Sequence, residues 1–231
     1  MLGIGFSSNA LGRPLRNVAI AVAGAMACAV ALRFYPDRAP SYAVSLATAY
    51  LSLSCLTGAL VIGPFQVLSG RRPPLSSNLR RDLGIWTALF ALVHVAFGLL
   101  VHMGGRIAQY FFRPVHAGAM QIPRIDAFGL ANDSGLVATA ILIVLLAISS
   151  NRALRLLGAE RWKAWQRSSY VAAAATALHA AVYQLLDRRD WPFVAACWML
   201  FGVMLTLQYA GRRKRLANRD AAPHRLRRDG S

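Results

Sequence analysis

Carboxylates are scarce in this chain. Among 231 residues there are nine Asp and Glu together, and only one is Glu, Glu160. Paired-carboxylate hydrolysis therefore has little to work with. Cysteine is also sparse. Cys28, Cys55 and Cys197 all lie inside apolar runs and no CxxC occurs, which excludes an iron–sulfur, zinc or disulfide framework. No GxGxxG or Walker pattern is present, so the chain carries no nucleotide, nicotinamide or flavin domain of its own. There is no internal repeat and no low-complexity tract. Charged residues make up 15% of the chain against roughly 25% in a typical soluble domain. Disorder is excluded by the 56% hydrophobic content and a mean hydropathy of +0.43.

What the chain has instead is length of apolar run. A bilayer core about 30 Å thick is crossed by about 20 apolar helical residues. Six such runs are expected: Val18–Tyr35, Tyr42–Ile62, Leu83–Val101, Leu136–Ser150, Ser169–Leu186 and Phe193–Ala210. Backbone groups in lipid are satisfied within their own segment, so these are helices, and the fold class is an all-α, six-helix polytopic membrane bundle. Ala25-Met26-Ala27-Cys28 faintly resembles a lipoprotein cleavage site, but the first apolar run is longer than the 7–15 residues of a signal peptide and is expected to be a span. The longest segment between spans, Met103–Ser134, is too short for a soluble core.

The net charge of +17 comes from 26 Lys and Arg, whose distribution is lopsided. Nineteen fall on the side of the N-terminus, the Gly63–Asp82 and Asn151–Ser168 loops and the tail; seven fall on the other. The positive-inside rule then predicts that residues 1–17 and the basic tail 211–231 are cytoplasmic. The tail's Arg212-Arg213-Lys214-Arg215 lies beside no folded basic domain or aromatic platform, so it reads as a stop-transfer segment on anionic lipid and not as a nucleic-acid site.

Two histidines interrupt the spans. His94 stands 12 residues after Asp82 and His179 stands 11 residues after Ser168, on spans that run in the same direction. At 1.5 Å per residue both lie roughly 16–18 Å deep. Two imidazoles at one depth suit the two axial positions of a haem iron, and filling both leaves electron transfer as the natural task. Zinc wants four ligands, and no Cys, Asp or Glu is near. On the third span Trp86, Phe90, His94, Gly98 and His102 recur at i+4, with Gly98 leaving space for a flat macrocycle; small residues surround His179. The plain alternative is that each histidine hydrogen-bonds a neighbouring helix. A proton relay or transporter, or a cofactor-free structural subunit, are the rival functions, although no carboxylate lies mid-span to serve a relay. His102 lies near the outer interface with no histidine opposite it. His116 falls in the outer loop and His224 in the solvated tail.

The segment Arg80-Arg81-Asp82-Leu83-Gly84-Ile85-Trp86 leads to His94. Arg155-Leu156-Leu157-Gly158-Ala159-Glu160-Arg161-Trp162-Lys163-Ala164-Trp165-Gln166 precedes His179 by thirteen residues, and Gly63-Pro64 closes the second span. Together these resemble the motifs of the ferric reductase-like transmembrane family over roughly residues 55–186, and within it the haem-binding membrane subunits of periplasmic methionine sulfoxide reductase systems. The family has a histidine where this chain has Gln166, a poor haem ligand. The resemblance therefore carries over His94 and His179 only, implying one haem b and leaving a second without its ligand. It further implies an oxidoreductase subunit of a bacterial-type inner membrane. Electrons would come from the quinone pool or a separate flavin reductase and leave to an acceptor or reductase partner outside. Arg80, Arg81, Arg161, Lys163 and Arg167 gather at the inner face. There they either meet haem propionates, a flavin phosphate or a docking partner, or simply follow the positive-inside bias.

Overall fold

The computed structural model describes residues 9–70, 76–114 and 121–228. Its helices are α1 (Asn9–Phe34), α2 (Pro40–Ser69), α3 (Ser76–Val101), α4 (Ala108–Phe111), α5 (Ala127–Ala147), α6 (Asn151–Gln166), α7 (Ser168–Leu186) and α8 (Trp191–Arg228). Among the described residues six helices are long and apolar enough to cross a membrane. The chain is thus an all-α polytopic membrane protein. The outward faces carry exposed Val18, Val22, Met26, Leu100, Leu136 and Leu205; such apolar surface suits lipid and not water.

Several boundaries differ from the sequence expectation. The fourth span, whose run Leu136–Ser150 is short and is expected to extend back beyond Asn132, begins at Ala127, because Asp126 caps it, accepting from the Gly129 N–H at 2.8 Å. The polar run Asn132-Asp133-Ser134 hides these first turns from a hydropathy scan, yet Asn132 and Ser134 are buried. The expected loop at Asn151–Ser168 is a helix, α6, capped by the Ser150 hydroxyl on the Ala153 N–H (3.0 Å) and broken at Gly158, whose φ of 73° suits glycine. The segment between α3 and α5 holds α4 and an antiparallel ribbon, Phe112–Pro114 (β1) with Gln121–Pro123 (β2). This ribbon end lies opposite the end that carries α6 and the junction where Arg13 and Arg16 of α1 meet Asp82 of α3.

The core is a four-helix arrangement of α2, α3, α5 and α7. Helix α3 packs chiefly on α2, and α7 chiefly on α5. At the terminal end the interior is filled: Ala88 and Ala91 of α3 meet Leu142 of α5 and Ala172 of α7, while Leu53, Leu56 and Leu60 of α2 meet Ala173 of α7 and Cys197, Phe201 and Met204 of α8. Helix α8 is fixed to α2 by Gln208 Nε2 donating to the Leu60 carbonyl (2.7 Å) and by Tyr50 donating to the Phe193 carbonyl (2.8 Å).

Helix α1 is held by polar contacts at one edge. Arg13 grips Asp82 with Nε at 3.0 Å and Nη2 at 2.8 Å, and Arg16 bonds its other oxygen. Asp82 is 1% exposed, so this carboxylate depends on its two partners. Trp86 donates to Asn17 (3.0 Å), and the Phe90 ring fills the space left by Gly24. Trp86 and Phe90 therefore serve α1. A step of four residues overshoots a turn by about 40°, so the i+4 stripe on α3 drifts from the α1 side towards the bundle interior before it reaches His94.

Candidate functional site

Beyond the filled half, towards the ribbon end, the four helices enclose a cavity of about 420 Å³, within the 300–1,000 Å³ of cofactor sites. His94 on α3 and His179 on α7 face each other across it, ring centroids 6.0 Å apart and planes at 81°. Each ring is tied by one nitrogen to a backbone carbonyl. His94 Nδ1 lies 2.9 Å from the Ser45 carbonyl and 3.0 Å from its hydroxyl; His179 Nδ1 lies 2.8 Å from the Ala131 carbonyl. A carbonyl only accepts, so Nδ1 carries the proton in both rings and each Nε2 keeps its lone pair. Among the described residues neither Nε2 has a hydrogen-bond partner. An imidazole whose other nitrogen donates to a carbonyl is the usual form of a metal-ligating histidine.

Small residues make this approach possible. An added Cβ at Gly135 of α5 would stand 2.6 Å from His179 Nδ1, and one at Gly98 would stand 3.2 Å from the Ser45 hydroxyl. Gly98 thus lets α2 close on α3 beside His94, as well as lining the cavity. Gly135 was not singled out from the sequence, since a lone glycine in an apolar run has no signature.

These residues fit a haem. His94 and His179, each with Nε2 left free by its Nδ1 hydrogen bond, would supply the two axial nitrogens. A porphyrin iron asks the protein for two nitrogens. A bare metal asks for more, and among the described residues no group of three His, Cys, Asp or Glu is assembled.

The mouth of the cavity is polar and aromatic. His179 stacks on Tyr183 at 4.8 Å, and Tyr183 meets His102 at 5.9 Å. Tyr183 donates to Asn132 Oδ1 (2.6 Å), and the Asn132 amide donates to the Tyr110 carbonyl (2.8 Å). Tyr110, 3% exposed, closes the end of α3: its hydroxyl accepts from the His102 N–H at 3.0 Å and reaches the carbonyls of His102 (2.8 Å) and Gly98 (3.0 Å). Burial raises its phenol above the ordinary 10.0. His102 Nε2 lies 3.9 Å from Asp187, which pairs with Arg189 at 2.8 Å.

The other residues singled out from the sequence stand elsewhere. Gln166 ends α6 at the terminal face and does not line the cavity. Arg81 donates to Asn151 Oδ1 at 2.6 Å, linking α3 to α6, and Arg161 is exposed on α6. His116 and the side chain of His224 lie outside the described residues. Asn132 and Tyr183 were not singled out from the sequence; the one signal available for Tyr183 is its place four positions beyond His179.

The sequence model of the ferric reductase like transmembrane component family matches residues 45–177, a span that includes His94 and stops just short of His179. No curated protein matches the chain.

Proposed function

Because the chain belongs to the ferric reductase like transmembrane component family, we propose that it is a membrane electron-transfer subunit that holds one haem b between His94 and His179. The observation that carries this reading is the pair itself: two half-buried imidazoles 6.0 Å apart over one cavity, each fixed by a carbonyl through Nδ1. When bound, the haem supplies a one-electron redox centre. The chain's own residues do the rest. The Ser45 and Ala131 carbonyls hold the tautomer that leaves Nε2 free, Gly98 and Gly135 let the helices close, and the apolar walls exclude water.

The excess of Lys and Arg on the terminal side supports an orientation with both termini cytoplasmic. In that orientation the cavity mouth faces outward, as in a bacterial-type inner membrane. Electrons would be received from the quinone pool or a separate flavin reductase. They would leave to a periplasmic partner, of which a methionine sulfoxide reductase is the case the sequence motifs favour. The test is the visible spectrum of the full chain purified from haem-replete cells. A Soret band is expected for the unaltered protein and for His102→Ala, and its loss in His94→Ala and in His179→Ala. A colourless unaltered protein overturns the reading.

A further inference from the structure

The cavity walls are apolar over most of their depth, and their charge is concentrated at the mouth. There the turn between α7 and α8 is sharp. Arg188 has a φ of 45°, a left-handed conformation that costs a non-glycine residue about 1–2 kcal/mol. The residue after it, Arg189, is returned to the cavity wall, with its side chain only 14% exposed. The Arg189 N–H donates to the Gln184 carbonyl at 3.2 Å. Its Nη1 donates to the Tyr42 hydroxyl at 2.6 Å and Nη2 to Asp187 at 2.8 Å, with the guanidinium over the Tyr42 ring at 5.4 Å. A guanidinium has five N–H donors, so these two bonds leave three. Other charged or titratable groups around it include Asp187, Asp190, His102, Tyr183 and Arg38, the last also over Tyr42.

Haem b carries two carboxylates, and a carboxylate against apolar walls needs a cation. Arg80, Arg81, Arg161, Lys163 and Arg167 do not line the cavity. We infer that Arg189 is the positioning residue that receives the porphyrin carboxylates at the cavity mouth and, through its charge, raises the potential of the bound iron. This rests on the haem reading above. The sign is electrostatic: a nearby cation disfavours the more positive, oxidised iron, and an anion favours it. Arg189 and His94 line the same cavity. Asp187 opposes it, so the two residues pull the potential in opposite directions.

The test uses the full chain in detergent, with two readouts: the rate at which haem passes to excess apomyoglobin, and the midpoint potential from a redox titration of the visible spectrum. Arg189→Gln is expected to release haem about tenfold faster, as for loss of a charged hydrogen bond, and to lower the potential. Arg189→Lys, which keeps the charge, is expected to hold the potential near the original value. Asp187→Asn is expected to raise it, a shift of opposite sign that loss of folding does not produce. Native release rate and potential in Arg189→Gln overturn this inference while leaving the haem reading intact, provided His94→Ala strips the haem. A colourless unaltered chain overturns both.

Discussion

Replacing Gly135 by alanine tests whether the histidine pair is held as tightly as the packing of α5 on α7 requires. The new Cβ would stand 2.6 Å from His179 Nδ1, 3.0 Å from Cε1 and 3.4 Å from Cγ. The ring cannot yield cheaply, because Nδ1 is bonded to the Ala131 carbonyl one turn earlier on the same helix and the ring also lies against Tyr183. Relief therefore comes either from breaking that hydrogen bond, which leaves a buried donor unpaired, or from pushing α5 off α7. Overpacking of this kind costs about 1–3 kcal/mol and the lost bond about 1 kcal/mol more. The sum, about 2–4 kcal/mol, lowers the melting temperature of a chain of this size on the order of 5–10 °C. Two glycines calibrate the result. Gly98→Ala, 3.2 Å from the Ser45 hydroxyl, is expected to cost about 1 kcal/mol, since a hydroxyl rotates aside. Gly202→Ala meets nothing within 4 Å and is expected to be neutral or slightly stabilising. Thermal melts of the four proteins in one detergent give the order. A Gly135→Ala protein that melts with the unaltered chain would refute the close fit of His179.

Asp82→Ala leaves Arg13 and Arg16 facing each other without their carboxylate. The expected loss is about 2–4 kcal/mol, somewhat below that of a fully buried pair, because the Arg13 side chain is 40% exposed; a melt indistinguishable from the original would show that this ion cluster does not hold α1. Tyr110→Phe removes the hydroxyl that closes α3 and is expected to cost about 1–2 kcal/mol. Since burial holds the Tyr110 phenol above 10.0, its contribution is complete below that pH and is lost as pH rises through the raised value. The gap between the unaltered chain and Tyr110→Phe should therefore hold steady below pH 10 and narrow as the pH rises above it, and a constant gap there contradicts the buried hydroxyl. Gln166→His restores the missing family histidine, yet Gln166 ends α6 and does not line the cavity. A pyridine haemochrome assay is expected to give no more than one haem per chain, and two would show that this half of the bundle opens.

The six spans are legible because length and hydropathy suffice for them, and the shared depth of His94 and His179 is legible because helical rise is constant. What escaped the sequence has identifiable physical causes. The two groups that orient the imidazoles are the carbonyls of Ser45 and Ala131, and a backbone carbonyl looks the same beside every side chain. Helix α6 is interrupted at Gly158 and crowded with arginine, so it shows no apolar run. Asn132 looks like a loop residue, yet it is buried because Tyr110 and Tyr183 saturate its amide. Arg189 is counted with the loop charges by any positional rule; only the left-handed Arg188 turns it back towards the cavity.

The departure at Gln166 and the filled terminal half of the bundle are two expressions of one arrangement. On the proposed reading a second porphyrin would need a further axial nitrogen, and the position the sequence motifs assign to it is Gln166, while Ala88, Ala91, Leu142 and Ala172 pack against one another in the terminal half of the bundle. On the proposed reading the asymmetry has a consequence for electron delivery. The histidine pair lies roughly 16–18 Å from the terminal face by helical rise, across packed side chains, whereas its cavity continues to the mouth at Tyr110, His102 and Arg189. A donor confined to the aqueous terminal face, docked on Arg81 and Arg161, faces that whole distance. On the proposed reading a donor dissolved in the bilayer would not face that aqueous distance, so the quinone pool and a separate flavin reductase would differ in the path their electrons take to the pair.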